Sequence, residues 1–173
     1  MIFGDKRSFA IEIEVNNFFH DEYVGEGKFF TYINNQRYGI DNEYATTFLY
    51  IKDELFLFLN KLQNSIEELL LFSSTEISIA YYCQNYSDVD LSKLNENLLN
   101  LAKHLVAWSP ESAFDDGSYI IHFDYGDKTR IIGFKSCMIK DKCMVQKDSV
   151  NEVFITRVEF ERILRESLDY LKR

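Results

Sequence analysis

The apolar period changes several times along this chain, and that constrains its fold more than any other feature. From Ser8 to Val15 the period is two. Phe9, Ile11, Ile13 and Val15 fall on one face, and Ala10, Glu12 and Glu14 on the other. A strand buried on one side requires this alternation. From Thr47 the period becomes helical, with Phe48, Ile51, Leu55, Leu59 and Leu62 on one stripe. Leu91, Leu94, Leu98, Leu101 and Leu105 repeat that spacing. After Ser118 the pattern returns to strands, and the chain closes on a third helical stretch. The expected fold is a single α+β domain. An antiparallel sheet, made of N-terminal and C-terminal meanders, packs against about three helices at roughly 47–62, 90–106 and 157–171.

Turn chemistry supports the meanders. The first strand is expected at about Ser8–Asn16 and the second at Lys28–Ile33, separated by the acidic stretch "HDEYVGEG", read as a loop. Asn34-Asn35 suits a tight turn, because asparagine tolerates left-handed backbone angles, and "QRYG" returns as a short strand. "TEISIAYYC" alternates and reads as a strand. "SYIIHFDYGDKTRIIGF" reads as a hairpin turning at Gly126-Asp127, with further strands near Cys143–Gln146 and Val150–Ile155. Asp90 is a suitable N-cap for the second helix, and Ser109-Pro110 ends it. Thr156 and Glu159 have capping-box spacing for the last helix, with Phe160, Ile163, Leu164, Leu168 and Leu171 facing the core.

The 173 residues suit one compact core, and 46% hydrophobic content with 15 Phe and 11 Tyr excludes disorder. The net charge is −9. That sign opposes nucleic-acid binding, which needs a basic surface. The charge is uneven: residues 1–117 carry 19 acids and 8 bases, and residues 118–173 carry 9 acids and 11 bases. Cys83, Cys137 and Cys143 are odd in number and widely spaced, which fits reduced thiols and a cytoplasmic setting. No signal peptide or membrane span is expected, since charges interrupt the start and the apolar runs are short.

Sites of chemistry are sparse, and no cofactor is expected. "GEGK" at Gly25–Lys28 has phosphate-loop flavour, but no Ser or Thr follows the lysine and Glu26 opposes phosphate. His122 and Asp124 share one face of a strand, and such a pair serves bases and metal sites. They supply two ligands where a metal needs three or four, so a small metal-dependent enzyme is the weaker alternative, and a histidine on a half-exposed sheet the simpler reading. A non-enzyme is favoured. Acids cluster at Asp21-Glu22-Glu26, Asp41-Glu43, Asp88-Asp90 and Asp115-Asp116, with Phe19, Tyr23, Tyr38 and Phe114 close by. Each cluster alone is ordinary solvation or turn chemistry. Aromatics ringed by charge suit protein interfaces.

"MIFGDKRSFAIEIEV", "GKFFTYINNQRYG" and "SAFDDGSYIIHFDYGDKTRIIGF" together resemble one family, in the same order from residue 1 to about 134. It is the forty-second numbered immunity-protein family of bacterial polymorphic toxin systems. The resemblance implies a protein made beside a toxin, which it binds and neutralises in the cytoplasm of the producing cell. It carries over no catalytic motif. The acid excess then suits a toxin with a basic surface, such as a nuclease. Asp21, Glu22, Glu26, Asp115 and Asp116 are the expected contact residues, chosen by charge. A non-toxin adaptor is the second alternative.

Overall fold

The computed structural model describes residues 1–19, 24–42, 46–61, 74–75, 78–79, 107–108, 113–139 and 142–172. The described elements run β1 (Ile2–Gly4), β2 (Phe9–Phe19), β3 (Val24–Ile33), β4 (Gln36–Tyr38), β5 (Thr46–Thr47), α1 (Phe48–Lys61), β6 (Ala107–Trp108), β7 (Ser118–Tyr125), β8 (Lys128–Ile139), β9 (Lys142–Thr156) and α2 (Arg157–Leu171).

The fold is α+β, but the expected single sheet is two. The first is antiparallel with order β1-β2-β3-β4, and β5 also pairs with β3. The second is antiparallel with order β6-β7-β8-β9. The meanders stay separate because they face each other across one core. The described residues hold two helices, not about three. The helix expected at 90–106, with Asp90 and Pro110 at its ends, lies outside the described residues.

The first sheet follows its alternation. Phe9, Ile11 and Ile13 are buried on the inner face with Phe29, Ile33 and Tyr38. α1 supplies Phe48, Ile51 and Leu55 to the same core, and α2 supplies Phe160, Ile163, Leu164 and Leu168. Gly25 and Gly27 lie tight against β2: a Cβ on Gly27 would lie 1.9 Å from the Glu14 carbonyl oxygen and one on Gly25 2.9 Å from that of Asn17, with the Phe48 ring of α1 next, at 3.0 and 3.2 Å. The "GEGK" glycines therefore serve the close approach of β3 to β2, with α1 packed over them.

Sequence boundaries shifted where the chain uses irregular pairing. β2 runs on to Phe19 because a bulge at Asn16 lets pairing resume at Asn17↔Glu26. Val24–Gly27 is thus strand, and Glu26 is a strand residue rather than a loop residue. Asn34 and Asn35 both take positive φ, 49° and 66°, as the tight turn requires. β9 is one strand in place of two. Gly133 pairs with Asn151 but Lys135 with Gln146, so residues 147–150 bulge opposite Phe134.

Tyr38 joins the sheets. Its hydroxyl shares its proton between the carbonyls of Gly133 (3.0 Å) and Ser149 (2.7 Å), in β8 and at the β9 bulge. Burial pushes its ionisation up to about 12. Only glycine fits at 133, where a Cβ would lie 2.5 Å from the Tyr38 ring.

Along β7 and β8 the second sheet is buried on both faces, whereas on β9 Phe154 is 51% exposed. Ile120 and Ile131 point to the common core, while their neighbours Ile121 and Ile132 are equally buried on the far side. Part of that far side is met by residues 74–75 and 78–79. Thr75, Ser78 and Ile79 are helical rather than extended, with the Ser78 N–H bonded to the Ser74 carbonyl at 3.1 Å. Arg130 explains this. Its guanidinium donates to the hydroxyls of both Thr75 and Ser78 at 3.1 Å, and a three-residue spacing brings two side chains to one side only on a helix.

Candidate functional site

The outer face of the first sheet is a chain of paired charges. The Tyr32 hydroxyl donates to the Glu12 carboxylate at 2.6 Å, and Lys6 reaches the same carboxylate at 2.7 Å while lying over the Tyr32 ring. Burial raises the Glu12 carboxyl, but the bonds from Lys6 and Tyr32 outweigh it and hold the group below its ordinary value. Arg37 lies over the Phe30 ring. Asp41 accepts from Lys28 at 2.6 Å and from Arg37 at 3.1 Å, and both bonds lower its carboxyl. Glu14 completes the group, 3.9 Å from Lys28. Glu26 is half-buried one step along β3 on this face.

A tight turn at 113–117 is docked against the end of this sheet. The Ile40 N–H donates to the Ala113 carbonyl at 2.8 Å, and the Gly39 N–H to the Ser118 hydroxyl at 3.3 Å. Phe114 inserts edge-on against Phe29, at 6.2 Å between ring centres. Gly117 takes φ +80° and approaches the Ser136 carbonyl so closely that a Cβ would lie 2.2 Å from it. The loop acids at 41 and 115–116, far apart in sequence, thus border one rim.

The sequence-expected contact residues divide. Asp115 is exposed at the tip of the turn. Asp116 is committed to structure: it accepts from the Ser118 N–H at 3.1 Å and pairs with Lys135 at 2.5 Å. Burial raises its carboxyl, and Lys135 and Ser118 more than reverse that. Asp21 and Glu22, with Glu43, Asp88 and Asp90, lie outside the described residues. The described residues carry 17 acids and 15 bases, and the remaining residues 11 acids and 4 bases. Most of the acid excess therefore falls on sequence outside the described body.

His122 and Asp124 do share a face, with Nε2 and Oδ2 3.3 Å apart. The expected half-exposed sheet is wrong here, because α2 covers this face. The imidazole is 5% exposed and packs on Phe160 at 5.0 Å, and Asp124 accepts from the Thr129 hydroxyl. Among the described residues, no group of three or more His, Cys, Asp or Glu could hold a metal ion. The pair serves the core.

Sequence reasoning missed Arg130, which is 2% exposed and bonds Glu152 through Nε at 2.9 Å and Nη2 at 2.5 Å. Its signal was an arginine among apolar residues in "TRIIGF".

The His122–Asp124 pair is thus sealed into the core, while the exposed Asp115 tip and the charged sheet face lie at the surface. Residues 1–170 match the family described as Immunity protein 42, and the chain belongs to that family. It is an immunity protein, which binds and neutralises a cognate bacterial toxin. The chain is also similar to a solved structure titled "Crystal structure of CdiI from Burkholderia dolosa AUO158". The TM-score is 0.62 at 21% identity, covering 98% of this chain and 99% of that one. At that identity the likeness shows the fold. No curated protein matches. No described helix is long and apolar enough to cross a membrane.

Proposed function

We propose that this immunity protein holds a basic surface of its toxin, in the cytoplasm of the producing cell, by means of its acidic rim. The supporting observation is the exposed Asp115 tip, docked by the Ile40–Ala113 bond beside Asp41 and the outer face that carries Glu26. Glu26 and Asp115, with Asp21 and Glu22, are the contact residues of this reading. Asp116 holds the turn in place through Lys135 and Ser118. Acids in this arrangement steer a basic partner and fill a cleft built for phosphate. The toxin in this reading is a nuclease, since a nuclease presents such a cleft. The test is co-purification of the chain with the toxin domain encoded beside it, followed by nuclease and growth assays. A one-to-one complex that loses nuclease activity is expected. A complex that forms with an acidic, non-nuclease toxin removes the charge argument.

A further inference from the structure

The chain carries one Asp–Gly pair, Asp116-Gly117, and no Asn–Gly pair. An Asp–Gly pair is the aspartyl sequence most prone to rearrange, because glycine puts no side chain in the way of its own amide nitrogen. The Gly117 nitrogen attacks the neutral Asp116 carboxyl carbon and a C–N bond forms. The amide hydrogen and the carboxyl hydroxyl leave together as water. The resulting succinimide takes water back. When that water opens it at the former backbone carbonyl, the chain continues through the side-chain carbon as an isoaspartyl link. The sum is an isomerisation that needs no reactant beyond water.

The turn can dispense with neither residue. Gly117 sits at φ +80°, a region that disfavours side chains, and a Cβ there would collide with the Ser136 carbonyl. Asp116 ties the turn to β8 by accepting from the Ser118 N–H at 3.1 Å and from Lys135 Nζ at 2.5 Å. A labile pair is therefore built in, and the bonds around it oppose its chemistry at both reacting atoms. At the nitrogen, the Gly117 N–H donates to the Phe114 carbonyl at 3.0 Å. The Gly117 carbonyl accepts from the Ser136 N–H at 2.8 Å, so the residue is held on both sides. At the carbon, both carboxylate oxygens are occupied, and Lys135 favours the ionised form, which is a poor electrophile. Burial raises the Asp116 carboxyl, and the Lys135 and Ser118 bonds more than reverse that.

We infer that Asp116-Gly117 is the isoaspartate-forming site of this chain, and that Lys135 keeps it closed while the protein is folded. Rearrangement then requires the 113–117 turn to lift from β8 first, because the attack needs a Gly117 nitrogen free to rotate toward the carboxyl carbon. The product changes the turn. An isoaspartyl link adds one carbon to the main chain and moves the charged group. The turn that Ile40 and Ser136 hold is then a different length, and the carboxylate no longer reaches Lys135 and Ser118 from the same place. The inference is independent of which surface the toxin meets.

The test uses the full chain alone. Wild type, Lys135→Met and Lys135→Arg are aged at neutral pH, both folded and in urea, with circular dichroism melting as a fold control. Lys135→Met keeps the side-chain stem and removes the charge. Thr156→Ala serves as a control weakened at a distance from the turn. Isoaspartate is counted by enzymatic methylation of isoaspartyl carboxyls and placed by peptide mass spectrometry with electron-transfer fragmentation. Folded wild type is expected to form isoaspartate at 116 at least about 10-fold more slowly than the chain in urea. Folded Lys135→Met is expected to close most of that gap, and Lys135→Arg to restore the slow rate. Thr156→Ala is expected to stay within about twofold of wild type, because the opening is local. Equal rates for folded wild type and the chain in urea overturn the closure. Isoaspartate that appears first at another site in urea overturns the assignment. Folded Lys135→Met as slow as wild type, or Lys135→Arg or Thr156→Ala as fast as Lys135→Met, overturns the role of Lys135.

Discussion

The two sheets solve different problems with similar strands. The first buries one face and, apart from Ala10 and Phe30, leaves the other open enough for its outer residues to be charged. Lys6, Glu12, Glu14, Lys28, Arg37 and Asp41 form exposed or half-exposed pairs there. The second is covered on both faces along β7 and β8, and the arginine buried there must be fully engaged. Arg130 is held by Glu152, Thr75 and Ser78. Charge is therefore cheap to alter on the first sheet and costly on the second. The exposed pairs of the first sheet can change without disturbing the core, while the second sheet holds the parts together.

The sharpest break in that contrast is Arg130→Ala. It strips the tether of residues 75 and 78 and leaves the Glu152 carboxylate without its guanidinium. A loss of about 2–3 kcal/mol is expected from urea unfolding, at the lower end for a buried pair because Glu152 is partly exposed. Tyr38→Phe tests the junction between the sheets. It takes the Tyr38 donor from the Gly133 and Ser149 carbonyls, and about 1–2 kcal/mol is expected to be lost in the same measurement. Thr156→Ala removes the acceptor for the Glu159 N–H at the start of α2, for about 1 kcal/mol in thermal melting. On the first sheet, Lys6→Ala is expected to cost less than about 1 kcal/mol, as exposed pairs do. If Lys6→Ala and Arg130→Ala were equally costly, the contrast between the sheets would fail.

Acid titration adds a sign to this. Glu12, Asp41 and Asp116 all have folded carboxyls held below their ordinary values. Their contribution is complete above the unfolded-state value and is lost as pH falls through the lowered one. Stability should therefore be level near neutrality and decline below about pH 4.5. Unfolding midpoints in urea from pH 7 to pH 3 follow this directly.

The same contrast explains what the sequence could disclose. Alternation from Phe9 to Val15 identified the inner face of the first sheet because only one face is buried. In the second sheet, adjacent Ile120-Ile121 and Ile131-Ile132 are all buried. Such doublets mark double-sided burial, and they do not say what lies on the far side. That is why two sheets were read as one, and why His122 was placed on a half-exposed face. α2 was legible down to its bounds, because stripe and cap agree. Its capping box is half present: Thr156 caps, but the Glu159 carboxylate is bound by Arg162 at 2.7 Å. Of the strand expected at 75–83, Thr75, Ser78 and Ile79 are helical, because the spacing of Thr75 and Ser78 under Arg130 is helical although Ile77 and Ile79 alternate in sequence; the rest of that stretch lies outside the described residues. The site was legible as acids, and its geometry was not. No local pattern reveals that the turn at 113–117 docks on Ile40, or that Asp116 is occupied by Lys135.

The most direct measurement of the central claim is the association rate of the purified toxin domain with the wild type and with a Glu26→Lys, Asp115→Lys double variant, at low and at high salt. Both positions lie away from the buried network, so the variant should melt like the wild type. The acidic rim predicts an on-rate slowed by about 10-fold or more at low salt, with the gap closing as salt screens the field. Equal on-rates at low salt would contradict it, and would place recognition on a face other than this rim.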